Sequence, residues 1–231
     1  SGLGGLQHVG AGVLTLTGAN TYSGATVVSS GTLQLGAAGV IADGSNLSVS
    51  SGATLDLQGF DETVGLALIS GALNGTGTLT GSEYQLNGAM VNANLGAGNL
   101  FNTGGVSMLN GTSAASLVSV ETGTLRLGAS DRINNAADLS VSAGATFDLN
   151  GNMETVRGLF GSGNVAVGAG RLTFGGIDSV FNGVLSGAGS VVHTGSLFTL
   201  MGSSHTLNTF SNTGGELRFL ERQHGPREVE Q

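Results

Sequence analysis

Two pairs of acids are the first residues in this sequence to invite a chemical reading. Asp56 lies in TLDL and Asp148 in TFDL, each flanked by apolar residues, while Glu62 and Glu154 each open an ETV triplet. Two carboxylates about 5–9 Å apart can divide acid and base work on a glycosidic bond, and acids on one face can hold a divalent cation. The members of each pair stand 92 residues apart, so their meaning depends on what that spacing becomes in the fold. A polysaccharide lyase or hydrolase would add a basic residue, for which Arg126, Asp131 and Arg132 offer a thin constellation. Asp61 and Glu62 form a local acidic pair, a weak cation candidate. The histidines His8, His193, His205 and His224 have no metal-ligand spacing and no H-E-x-x-H pattern. His193 and His205 alone are placed to approach one another on successive turns. Gly175-Gly176-Ile177-Asp178 starts like a calcium nonapeptide but lacks the third glycine and occurs once. Gly161-Ser162-Gly163 is followed by no helix, so no phosphate cradle is read there. Neither G-x-S-x-G nor Ser-x-x-Lys occurs, the chain having no lysine.

The elements that must position these residues are set by an internal repeat. Residues 31–64 read GTLQLGAAGVIADGSNLSVSSGATLDLQGFDETV, and residues 123–156 read GTLRLGASDRINNAADLSVSAGATFDLNGNMETV. About 20 of the 34 positions are identical without a gap, the mark of a repeat architecture. Leu33/Leu125, Leu35/Leu127, Leu47/Leu139, Val49/Val141, Leu55/Phe147 and Leu57/Leu149 alternate with polar neighbours, the period of half-buried strands. Val13–Thr17, Thr26–Ser29, Thr78–Thr80, Tyr84–Leu86, Val106–Leu109, Val165–Val167, Arg171–Phe174, Phe198–Leu200 and Thr206–Asn208 fit the same template. No helical period is sustained, and 43 glycines in 231 residues oppose one. Like residues recurring far apart, with turn residues after each short run, predict a coil whose rungs stack like over like. The fold class read from this is all-β, a single parallel β-helix of roughly nine to ten rungs. At about 23 residues a rung, the 92-residue offset would be four rungs, and the rod about 45–50 Å long. Glycines matched at Gly31/Gly123, Gly36/Gly128, Gly52/Gly144 and Gly59/Gly151 are read as corners, and small inward residues as the filling of a narrow core.

On that frame Asp56 and Asp148 lie about 19 Å apart, too far for joint catalysis, and are expected to face outward or brace a turn. Glu62 and Glu154 are expected to accept hydrogen bonds from backbone N–H groups at a corner. The sequence therefore assigns no catalytic, cofactor-binding or metal-ligating residue, no cofactor, and no enzymatic activity. Thr15/Thr17 and Thr78/Thr80 are T-x-T pairs of the kind that can match an ice lattice, but most rungs break the pattern. Recognition is assigned to segments that interrupt the repeat: Gly59–Glu62, Ser82–Gln85, Asn110–Ser113 and Ile177–Asn182.

Bulk composition narrows the partners. A net charge of −8 and scattered arginines exclude nucleic-acid binding. The absence of cysteine excludes a disulfide scaffold, and no apolar run reaches the length of a membrane span. Residues 216–231 carry seven of the 22 charged residues and the single proline, Pro226. The chain is accordingly divided into a β-helix over 1–215 and a charged cap or disordered tail over 216–231.

Residues 10–36, GAGVLTLTGANTYSGATVVSSGTLQLG, resemble the autotransporter-associated β-strand repeat, also called the passenger-associated transport repeat. The positions that carry the likeness are Gly10, Gly12, Leu14, Thr15, Leu16, Gly18, Asn20, Tyr22, Gly24, Thr26, Val28, Gly31 and Leu33. The second copy keeps Gly123, Leu125 and Leu127 but lacks the Asn-x-Tyr-x-Gly core. The resemblance implies a right-handed β-helix, a passenger segment exported by type V secretion to the bacterial cell surface or beyond. No signal peptide is read at Ser1-Gly2-Leu3-Gly4-Gly5, and no outer-membrane barrel is read in the sequence. Its implied role is a non-catalytic stalk or adhesive surface, a monomer, with a host-cell or matrix surface, a glycan or self-association as partner.

Overall fold

A computed structural model describes residues 2–201 and 205–220. Every regular element among them is a strand. Alternation sets the orientation of each: in Thr32–Leu35, Leu33 and Leu35 are buried while Thr32 and Gln34 are half-buried on the outer side. Thr124–Leu127 and Asp138–Val141 repeat that pattern. Such strands expose one polar face and must stack their other face on something apolar.

The stacking partners come from the same chain. Twelve strands form one sheet, from Leu6–His8 to Glu216–Leu220, and thirteen lie on a second that begins at Val13–Leu16. A third face holds Glu62–Thr63, Thr78–Thr80 and Asn94–Leu95, continued by single bridges from Leu95 to Ser113 and from Ser113 to Ile133. Neighbouring strands pair in parallel, as Leu47–Val49 does with Thr26–Val28 and with part of Leu66–Ile69. The result is a β-solenoid in which the core is a set of columns. Leu33, Leu55, Leu73, Val91, Leu109 and Leu127 form one, fully buried. The twelve strands of the first sheet make eleven steps, about 53 Å at the usual strand spacing.

The rungs are shorter than the repeat arithmetic predicts. Leu47 reaches Leu139 through Ala67, Tyr84, Leu100 and Val118, so the 92-residue offset spans five rungs instead of four. The intervening rungs are compact because they lose turn residues. Ile69 and Ala72 bound a two-residue link between the first and second sheets, where Val49 and Thr54 bound a longer one. The second sheet absorbs the difference as a slip: Leu33 stands in column with Leu127, not with its sequence equivalent Leu125.

The core also departs from the expectation of small residues. Tyr84, Phe147, Phe174, Phe181 and Phe198 are among its largest fully buried side chains. In the last rungs Phe174 meets Phe198 edge-on, with ring centroids 4.7 Å apart, and His193 lies 5.6 Å from each. Corner geometry is clearest at Gly31 and Gly123, with φ of 66° and 69°. A Cβ there would sit 2.2 Å from the Gly10 carbonyl oxygen or 2.1 Å from that of Gly105, so the rung below forbids a side chain as firmly as the backbone angle does. Glu216–Leu220, at the start of the charged segment, pairs with Leu197–Met201 as a strand; residues 221–231, with Pro226, lie outside the described residues.

Candidate functional site

The acids take up roles set by neighbouring rungs. Glu62 and Glu154 are 2% and 1% exposed, and both turn inward, Glu62 on the third face and Glu154 on Met153–Thr155, a strand joined to the second sheet through Arg171–Phe174. The Val40 and Ile41 N–H groups donate to Glu62 Oε2 at 2.9 and 3.2 Å, and the Thr63 N–H donates to Oε1 at 3.2 Å. One repeat later the Arg132 and Ile133 N–H groups donate to Glu154 Oε2 at 2.8 and 3.2 Å, and the Thr155 N–H to Oε1 at 3.1 Å. Each carboxyl thus supplies acceptors to a corner one rung below, where no strand ladder reaches. Burial raises the Glu154 carboxyl from 4.5 to about 7, against its three backbone donors and with the help of the nearby Asp131 charge. Glu62 is raised for the same reason, opposed by Ile41, Val40 and Thr63, with Asp43 adding to the rise. A buried group of raised pKa is a common mark of an active site. Here no substrate-facing atom remains, because both oxygens point at backbone donors inside the wall.

Asp56 and Asp148 face outward on the second sheet. The Gln58 N–H donates to Asp56 Oδ1 at 2.9 Å and the Asn150 N–H to Asp148 Oδ1 at 2.7 Å. Gln58 and Asn150 take φ of 55° and 53°, a left-handed conformation that an aspartate two residues earlier can brace. Arg126 Nε donates to Asp148 Oδ2 at 2.7 Å. Asp56 and Asp148 lie on strands five rungs apart, about 24 Å, and in different columns of that sheet.

The remaining candidates are dispersed. Arg132 donates to the Ser130 and Asn110 carbonyls, so it does not join Arg126 beside an acid. Asp61 Oδ1 accepts from the Thr78 N–H at 2.8 Å while Glu62 turns into the core, so the acidic pair splits to opposite sides of its strand. His193 Nδ1 bonds Asn212 Oδ1 at 2.7 Å, and the Leu185 N–H donates to His205 Nδ1 at 3.3 Å; the two histidines serve different partners. His8 Nε2 bonds the Gly12 carbonyl at 3.1 Å, and His224 lies outside the described residues. Asp178 Oδ1 accepts from the Leu197 N–H at 2.9 Å. No group of three or more potential metal ligands occurs among the described residues. The T-x-T pairs lie on different faces, Thr15 on the second sheet and Thr78 and Thr80 on the third. Two segments assigned to recognition as loops are strands in part: Glu83–Asn87 and Ser179–Phe181 both pair in the first sheet. Their inward Tyr84, Leu86 and Phe181 bind them to the core.

The structure adds an amide ladder on the outer side of the second sheet. Asn92 Nδ2 donates to Asn74 Oδ1 at 2.7 Å, and Asn110 Nδ2 to Asn92 Oδ1 at 2.6 Å. Its signal in the sequence is the 18-residue spacing of the three asparagines, which is the rung length of that stretch.

The geometry defines a class, the parallel β-solenoid, with its repeated acids committed to its own rungs. Comparison with known proteins then shows what the chain is similar to. Residues 9–35 match the passenger-associated-transport-repeat family. A stretch of 122 residues, 49% of this chain, is 40% identical to the adhesin BmaC autotransporter of Brucella suis biovar 1 (strain 1330). The chain spans about 4% of that relative's length. No solved structure matches the chain. The chain is thus similar to autotransporter passengers, with the matching repeat in its first rungs.

Proposed function

We propose that this chain is a non-catalytic stalk and adhesive segment of a type V secreted protein, displayed at the bacterial cell surface. The observation that carries this reading is the unbroken parallel ladder from Leu6–His8 to Glu216–Leu220 over one apolar core. Such a body resists bending because every rung is held by two neighbours. The candidate groups Glu154, Asp148 and Arg132 are committed to backbone and ion-pair contacts, which leaves little there for chemistry. The similarity to an adhesin autotransporter supports surface exposure.

Rung-on-rung folding gives the stalk a second use. Nearest-neighbour stacking lets each rung form on the last, so folding outside the cell holds back the emerging chain against retreat. Leu125 and Leu127 are fully buried in the middle of the stack. Leu125→Asp with Leu127→Asp is expected to slow export of the full-length protein severalfold, measured as surface-exposed passenger over time. Unchanged export would contradict the folding role. Product release from any member of a panel of acidic and neutral glycans by the purified chain would contradict the non-catalytic one.

A further inference from the structure

The outer side of the first sheet carries a shallow groove of about 660 Å³ that the acids and histidines do not touch. Its floor is built by successive rungs in register. Ser48, Leu68 and Gln85 stand in one outward column, and Ser50, Ser70 and Asn87 lie two residues further along the same strands or just beyond them. A β-bulge shapes one end: Leu86 pairs with Asn102 but Asn87 pairs with Gly104, so Thr103 is an extra residue. Bulges of this kind re-aim side chains beside binding sites. Gly104 leaves the room that Asn87 occupies, since a Cβ there would lie 2.6 Å from Asn87 Oδ1.

The chemistry of the lining is uniform. No charged side chain lines the groove. Among the described residues, Ser48, Ser50, Ser70 and Asn87 make no side-chain hydrogen bond within the chain, and Gln85 uses only its Nε2, to Glu83 Oε1 at 2.6 Å. The groove therefore offers free hydroxyls and an amide beside one apolar surface, Leu68, which is 39% exposed. Donors and acceptors without charge, set at intervals of about 4.8 Å along the rod, suit a chain of sugar rings. Each ring is about one rung long, with hydroxyls around its rim and a C–H face for Leu68. A polyanion is disfavoured by the net charge of −8 and the lack of a basic residue in the lining.

We propose that this groove binds an uncharged oligosaccharide lying along the rod axis. The proposal rests on the adhesive reading above and names its ligand class. The test is calorimetric titration of the purified chain with cellohexaose, N-acetylchitohexaose and mannohexaose, with a heparin hexasaccharide as the charged comparison. At least one neutral hexasaccharide is expected to bind with a Kd between micromolar and millimolar. The double variant Gln85→Ala/Asn87→Ala is expected to weaken it tenfold or more. Ser50→Gln, which fills the groove from an outward position, is expected to do the same. Thr54→Ala on the second sheet is expected to leave it unchanged, and circular dichroism checks the fold of each variant. No neutral binding at millimolar sugar, binding of heparin alone, or equal loss in Thr54→Ala would overturn the proposal. Normal export of a chain that binds no sugar would overturn the groove while leaving the stalk reading intact.

Discussion

Glu62 and Glu154 show how a solenoid treats a corner that has no ladder. Glu154→Ala would leave the buried Ile133 N–H without a partner, at a cost of about 1–3 kcal/mol, and would strip the part-buried Arg132 and Thr155 N–H groups of theirs. A loss of at least about 1 kcal/mol is therefore expected, read by urea unfolding. The raised carboxyl gives this residue a pH signature as well. Its folded pKa, about 7, lies above the ordinary 4.5, so on raising the pH the unfolded chain loses this proton first. The contribution is thus present below about pH 4.5 and is lost as pH climbs through about 7. One pKa unit is worth about 1.4 kcal/mol, so up to about 3 kcal/mol separates pH 4.5 from pH 8. Glu154→Gln is expected to flatten that slope, measured as Tm against pH; a slope equal to that of the parent would refute the assignment. At Gly123 the obstacle is the carbonyl of Gly105 below. Gly123→Ala is expected to cost about 2 kcal/mol or more through its left-handed backbone and that clash.

At the scale of the element, the strands are specified redundantly and the links between them are not. Alternation places every inward Leu and Val of the repeat, so the strand positions at Thr32–Leu35, Thr78–Thr80 and Arg171–Phe174 are plain in the sequence. The capping role of Glu62 and Glu154 is legible too, because an acid repeated beside an apolar residue at a corner has few other uses. Link length is not legible in this way. Nothing in the residue types between Ile69 and Ala72 announces that the turn has shed residues, and it is the link that sets how many rungs fill 92 residues. The asparagine ladder crosses that compact region. Asn92 both donates and accepts in it, so Asn92→Ala removes two amide contacts, each worth about 1 kcal/mol. A destabilisation of about 1–2 kcal/mol is expected by thermal melting. Asp148→Asn, which breaks the partly exposed pair with Arg126, is expected to cost at most about 1 kcal/mol.

The whole molecule is a rod whose glycines and apolar columns serve one purpose, the repetition of a rung. The likeness to the passenger-associated-transport-repeat covers residues 9–35, yet the stacking it starts continues to Leu220. The later rungs reach that end by other means, with Phe174, His193 and Phe198 taking the place of small residues. The groove was hidden for a related reason: Ser48, Leu68 and Gln85 belong to three unlike rungs and meet only through the register of the sheet. Register therefore holds both the stalk and the groove together, and the chain contains no cysteine to confuse a labelling experiment. Ser48 and Ser140 stand in one outward column, five steps apart through Leu68, Gln85, Phe101 and Ser119. Spin labels on Ser48→Cys/Ser140→Cys are expected to give a single narrow distance near 24 Å by pulsed electron–electron resonance. A distance near 19 Å, or a broad distribution, would contradict the five-rung stack.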